Sequence, residues 1–152
     1  MKIIISPAKK MNVKTDFLPV TGLPRFLEHT RILCDTIKQL PYGEAKALWG
    51  CNDKLAELNF RRFSEMDLEK SLTPAVLSYE GLQYQHMSPV VFTEDGIQYA
   101  ESHLRILSGF YGVLSPFDGV VPYRLEMQAK LSAAGKKDLY ELWGDRLYKV
   151  VL

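Results

Sequence analysis

Leu48-Trp49-Gly50-Cys51-Asn52-Asp53-Lys54-Leu55-Ala56 is the stretch on which the reading of this chain turns. Glu44 to Trp49 predicts a short helix and Asp53 to about Phe63 a longer one, with only Gly50-Cys51-Asn52 between them. Helices joined so tightly have the skeleton of a helix-hairpin-helix, whose turn brings backbone close to a DNA phosphate. Gly50 fills the first special backbone position and Asn52 the second, because Asn tolerates left-handed dihedrals better than other non-glycine residues. Backbone N–H groups opening the second helix then face outward as an anion site. Lys54 adds charge beside it, Ala56 permits close helix contact, and Arg61 and Arg62 extend the basic character about two turns onward. Such contacts hold phosphate and carry little base information. The same residues also describe an ordinary helical hairpin, with Gly50 closing one helix, Asn52 capping the next and Lys54 in solvent. Asp53 counts against DNA, since it sets a negative charge beside the phosphate site.

Working outward, Lys2 to Ser6 holds three consecutive Ile residues closed by Pro7, the pattern of a central strand buried on both faces. Ser6-Pro7-Ala8-Lys9-Lys10 follows it, where α/β sheets commonly bind ligands, so two lysines there can grip phosphate; a solvated polar turn is the other reading. From Pro24, a helix of about four turns carries Phe26, Leu33, Ile37 and Leu40 and stops at Pro41. Val76 to Tyr79 predicts a strand, and Leu82 to Val91 irregular chain or an edge strand. Thr93 caps a helix carrying Ile97, Ala100, Leu104 and Leu107, with Gly109 as its C-terminal cap. The Gly109 to Gly112 spacing reads as helix termination rather than as a phosphate loop. Val120 to Leu125 predicts a strand, and alternation sets Arg124 and Glu126 on one face, either as a cleft lining or as a structural salt bridge. Asp138 caps a last helix with Leu139, Trp143, Leu147 and Val150 in one stripe and Gly144 inside it.

Hydrophobic residues at 47% and charged residues at 24% of 152 predict one folded domain over residues 1–152, of mixed α+β class. A net charge of +1 means that any basic surface is a local patch. No apolar run reaches the roughly 18 residues of a membrane span. Cys34 and Cys51 lack CxxC spacing, which suits a reducing cytoplasm. His29, His86 and His103 lack metal-ligand spacing, and no serine or cysteine sits in a nucleophile motif. No metal, cofactor or catalytic triad is therefore expected. Val150-Val151-Leu152 ends an apolar stripe without a polar tail, so the chain reads as cut at its C-terminus. That stripe is expected to seek a partner surface, a second copy among the candidates.

Five blocks carry a resemblance. Ile5 to Lys9, Asp53 to Asn59, His103 to Leu114, Pro122 to Met127 and Leu139 to Asp145 resemble, in order, the bacterial peroxide-stress protein YaaA family. The resemblance implies a cytoplasmic protein of the hydrogen-peroxide response that limits intracellular iron and oxidative damage. It also implies a family-specific fold and DNA binding through a helix-hairpin-helix and a basic cleft. On this reading Gly50, Asn52 and Lys54 hold DNA phosphates with help from Lys9, Lys10, Arg61 and Arg62. The rival expectation is an enzyme or sensor taking a small phosphorylated or nucleotide ligand at Ser6, Lys9, Arg124 and Glu126. The chain departs from the family at Ser115, where Arg is common, and relatives continue beyond the segment matching Leu152.

Overall fold

The computed structural model describes residues 1–15 and 17–151, so Leu152 of the apolar ending lies outside the described residues. Ile3–Ile5 forms β1 and Lys10–Met11 forms β2. Three helices follow, α1 (Leu27–Lys38), α2 (Tyr42–Trp49) and α3 (Asp53–Ser64). α1 lies between Pro24 and Pro41 and buries Thr30, Leu33, Cys34 and Ile37, the i, i+3, i+4, i+7 face of an amphipathic helix. Trp49 at the end of α2 stacks on Phe63 of α3 with ring centroids 5.7 Å apart, and Ala56 is fully buried, so the two helices close on each other.

The strand expected over Val76 to Tyr79 is instead one helical turn, α4 (Ala75–Ser78), between β3 (Thr73–Pro74) and β4 (Tyr79–Glu80). Pro74, with φ of −55°, opens that turn. The N–H groups of Ala75 and Val76, which a first helical turn leaves without partners, donate to the carbonyls of Asp118 and Pro116. α5 (Leu82–Met87) and a 3-10 turn at Pro89–Val91 occupy the segment expected to be irregular.

α6 (Glu94–His103) starts as expected, with Thr93 Oγ1 accepting from Gly96 N at 3.1 Å. It does not run to Gly109: Leu104–Ser108 is β5. Leu104, Ile106 and Ser108 are buried while Arg105 and Leu107 are half-buried, a period of two. Leu104 and Leu107 are three apart and fit a helix as well; pairing on both edges decides for the strand. β5 runs parallel to β1 with Ile3 opposite Leu104, and antiparallel to β6 (Gly112–Leu114) with Ser108 opposite Gly112. The Gly109 to Gly112 spacing is thus a hairpin connection, not a helix end. β1 is the edge of the β1-β5-β6 sheet, and Ile3 and Ile4 are 38% and 49% exposed, which corrects the expectation of a central strand buried on both faces.

β7 (Gly119–Val120) pairs antiparallel with β3, as β2 does with β4, and residues 121–128 continue without regular structure. The last helix is broken at Gly144 (φ 52°, ψ −127°) into α7 (Leu139–Trp143) and α8 (Arg146–Val151). Leu139 and Trp143 are buried, and Trp143 Nε1 donates to the carbonyl of Gly109 at 2.9 Å. A Cβ built on Gly112 would lie 2.9 Å from the Trp143 ring and 3.1 Å from Leu147. Of the stripe, Leu139 and Trp143 are buried within the chain, while Leu147 and Val150 are half-buried. The result is a mixed α+β protein with small sheets set among helices. Among the described residues no helix is long and apolar enough to cross a membrane.

Candidate functional site

Gly50 adopts the left-handed conformation (φ 59°, ψ 46°) and closes α2 by donating its N–H to the carbonyl of Lys46. Asn52 does not take the second left-handed position expected of it. It is extended (φ −74°, ψ 172°) and caps α3, its side-chain oxygen accepting from Leu55 N at 3.0 Å. Local hydrogen bonding explains the difference, since a capping Asn must be extended to reach the third amide. The Asp53 carboxylate is engaged by Lys46 Nζ at 2.9 Å and by the Tyr42 hydroxyl at 3.0 Å. Those two bonds, Lys46 first, hold Asp53 below its ordinary value. The charge that opposed an anion here is thus largely answered, while Lys54 stands exposed beside the first amides of α3. Arg61 and Arg62 lie roughly 12 Å further along the helix. Arg61 is exposed; Arg62 is half-buried, its value lowered by burial and then by Arg61.

Ser6, Lys9, Arg124 and Glu126 line one cleft of about 460 Å³, together with Leu107 and Met127. Lys9 Nζ meets Glu126 Oε1 at 3.2 Å. The cleft is held from behind. A Cβ on Gly109 would stand 2.8 Å from Met127 N and 3.0 Å from Leu125 O, so the 125–127 backbone lies directly on that glycine. Tyr123 Oη sits 2.6 Å from both Ser108 Oγ and Tyr79 Oη, in a wholly buried cluster. Ser108 Oγ accepts from the N–H groups of Phe110 and Tyr111, which uses its lone pairs and leaves its own proton for Tyr123. Burial pushes the Tyr123 hydroxyl up to about 12, so it stays protonated as a structural group. On the other side the Ser6 carbonyl accepts from Tyr84 Oη and Gln83 Nε2, each at 2.7 Å.

A second groove of about 780 Å³ runs past Trp49 and Gly50 and shares Glu126 and Gln128 with the cleft. Arg124 Nε donates to the Trp49 carbonyl at 3.2 Å, pinning the cleft to the helical turn. Lys10 goes elsewhere. It faces Glu80 at 3.5 Å and lines a separate cavity with Asn12 and Lys14, because neighbouring residues of extended chain point to opposite sides. Sequence reading missed Gln128, although it continues the alternation of Arg124 and Glu126. It also missed the Lys46–Asp53 pair, which the tight α2–α3 turn sets together, and the Tyr79–Tyr123–Ser108 cluster, which only the folding of distant segments assembles. Among the described residues no three of His, Cys, Asp or Glu gather as a metal site.

Fold and site define a mixed α+β protein with a groove joining a tight helical turn to a charged cleft. The chain belongs to the family described as peroxide stress protein YaaA, whose model matches residues 1–152. It is 56% identical over 148 residues to a UPF0246 protein of Lachnoclostridium phytofermentans, covering 97% of this chain and 58% of that relative. It is 53% identical over 151 residues to a UPF0246 protein of Lactiplantibacillus plantarum, covering 99% and 61%. A third, of Agathobacter rectalis, is 55% identical over 152 residues, covering 100% and 61%. The chain thus spans about three fifths of the length of these curated relatives.

Proposed function

We propose that this chain is a DNA-contacting part of a peroxide-stress protein, gripping strand phosphates at the Gly50 to Lys54 turn as a helix-hairpin-helix does. The observation that carries the reading is that the groove past Trp49 and Gly50 adjoins the Lys9–Arg124 cleft at Glu126 and Gln128, with Arg124 Nε bonded to the Trp49 carbonyl. A strand lying there meets Gly50 and Arg124; on this reading it continues past Gly50 to the opening amides of α3 and Lys54, which line neither cavity, with Arg61 and Arg62 further along. In the cell the same reading sets the protein in the cytoplasm, limiting iron and the damage iron drives. The family's peroxide-stress description and two free cysteines support that setting. The chain itself supplies no iron site on this reading.

The test is fluorescence anisotropy of a labelled duplex over a salt series. Neutralising four to six phosphates gives a slope of log affinity against log salt of about −4 to −5, and Lys54→Ala lowers affinity uniformly and the slope by about one. No binding at low salt overturns the reading. A second reading, an enzyme or sensor holding a small phosphorylated or nucleotide ligand, is favoured by the convergence of Ser6, Lys9, Arg124 and Glu126 on one cleft. Thermal stabilisation by a nucleoside monophosphate, in a protein that ignores DNA, is the result expected of it.

A further inference from the structure

We infer that Met66 is a modification site for hydrogen peroxide, taking one oxygen atom on its Sδ beside Cys34. The inference stands apart from DNA binding, and the family's peroxide-stress description enters only in the choice of oxidant. Met66 follows the end of α3 and lines a cavity of about 370 Å³ with Arg31, Cys34 and Lys38 of α1. That cavity shares no lining residue with the cleft or the groove described above. Arg31, Cys34 and Lys38 recur at i, i+3 and i+7, so one face of α1 holds the 66–69 segment at three points. Arg31 Nη2 bonds Glu69 Oε2 at 2.8 Å, Cys34 Sγ donates to Met66 Sδ at 3.6 Å, and Lys38 Nζ donates to the Met66 carbonyl at 3.2 Å.

Of the two sulfurs the thioether is the nucleophile. Burial raises the Cys34 thiol above its ordinary value; Lys38 opposes the rise, Asp35 adds to it and Arg31 opposes it. Cys34 therefore keeps its proton and offers it to Met66 as a hydrogen bond. A thiol must lose its proton to react, whereas a thioether has none to lose. In the step, a lone pair of Met66 Sδ attacks one peroxide oxygen and the O–O bond breaks. Lys38 gives a proton to the departing hydroxide and regains the one left on the new S–O oxygen, so the products are a sulfoxide and water. Asp35, Asp67 and Glu69 line the same cavity and disfavour an anion, but they do not repel neutral peroxide. Met66 is half-buried and packs against the core, so the sulfoxide puts a polar group where an apolar one held α1 to the 66–69 segment. The change is reversible chemistry.

The whole chain is treated with hydrogen peroxide in the presence of a metal chelator, and oxygen uptake at each methionine is followed by peptide mass spectrometry. Met1, 88% exposed, is the internal standard for a thioether in open water. Met66 is expected to react about tenfold faster than Met1, the scale of one charge-assisted hydrogen bond to the departing oxygen, with no oxygen on Cys34 in the first product. In urea the two methionines react alike. Lys38 is exposed, so Lys38→Gln folds and brings Met66 down to the Met1 rate, and Lys38→Arg restores the excess; unfolding midpoints check both variants. Peroxide lowers the unfolding midpoint of the parent protein, and Met66→Leu, which keeps the packing volume, removes that loss. Met66 reacting no faster than Met1, an excess that persists in urea or in Lys38→Gln, or a first oxygen on Cys34 overturns the inference.

Discussion

Gly109 is the residue on which the cleft's geometry rests most directly, because the atoms that a Cβ would meet there are backbone. They are Met127 N at 2.8 Å, and Glu126 C and Leu125 O at 3.0 Å, none able to rotate away as a side chain would. Gly109→Ala must push the 125–127 segment outward and carry Glu126 with it. Urea unfolding is expected to show a loss of about 1–3 kcal/mol, and an unchanged midpoint would contradict the contact. Asp118 makes a second residue-scale prediction, this time in pH. Burial raises its carboxyl to about 6; the Ser115 N–H at 2.9 Å opposes the rise, Glu101 adds to it and Arg105 lowers it. The native state therefore holds this proton more tightly than the unfolded chain, whose ordinary value is 3.8. The stabilisation is full below that value and is lost as pH rises through about 6. Between pH 4 and 7 the protein should lose roughly 2–3 kcal/mol relative to Asp118→Asn, and parallel stability curves for the two would count against the buried carboxyl.

At the scale of elements, the α2–α3 turn separates two ways of being a special residue. Gly50 has a left-handed backbone in open space, so Gly50→Ala costs only the strain of that conformation, about 1–2 kcal/mol. Asn52 acts through its side chain, so Asn52→Ala costs about 1 kcal/mol while Asn52→Ser recovers most of it. Thermal melts of the three variants decide, and equal losses for Ala and Ser at position 52 would show that the cap is not what matters. Elements of this kind were legible because their causes are local: caps at Asn52, Thr93 and Asp138, prolines around α1, and a glycine after α2. β5 was not, since Leu104 and Leu107 fit either period and only β1 and β6 settle the choice. Likewise β1 carries the composition of a central strand and sits at an edge, because strand order is a property of the assembled sheet. In the site, alternation announced Arg124 and Glu126 as neighbours, whereas the tie from Arg124 to Trp49 spans 75 residues and no local pattern encodes it.

For the molecule as a whole, the apolar residues of the first strand and of the last helices differ in how far they are covered. In the C-terminal stripe Trp143 is about 1% exposed and bonded to Gly109, and the half-buried Leu147 lies against the same hairpin at Gly112, so a charge placed at Leu147 should destabilise the protein. The N-terminal edge is the open one. Among the described residues β1 is bonded only to β5, Ile3 and Ile4 are 38% and 49% exposed, and the neighbouring Lys2 is turned aside, its Nζ donating to the Ser102 carbonyl at 2.7 Å. An apolar strand edge with no charge guarding it is a template for pairing with another chain. Concentration-dependent self-association is therefore expected to run through β1. Ile4→Lys places a charge on that edge at a position already half in water, so it should suppress association while leaving stability within about 0.5 kcal/mol. Sedimentation over a concentration series, with urea unfolding alongside, tests both halves; an Ile4→Lys protein that associates as before, or unfolds markedly earlier, would show that β1 is covered in solution.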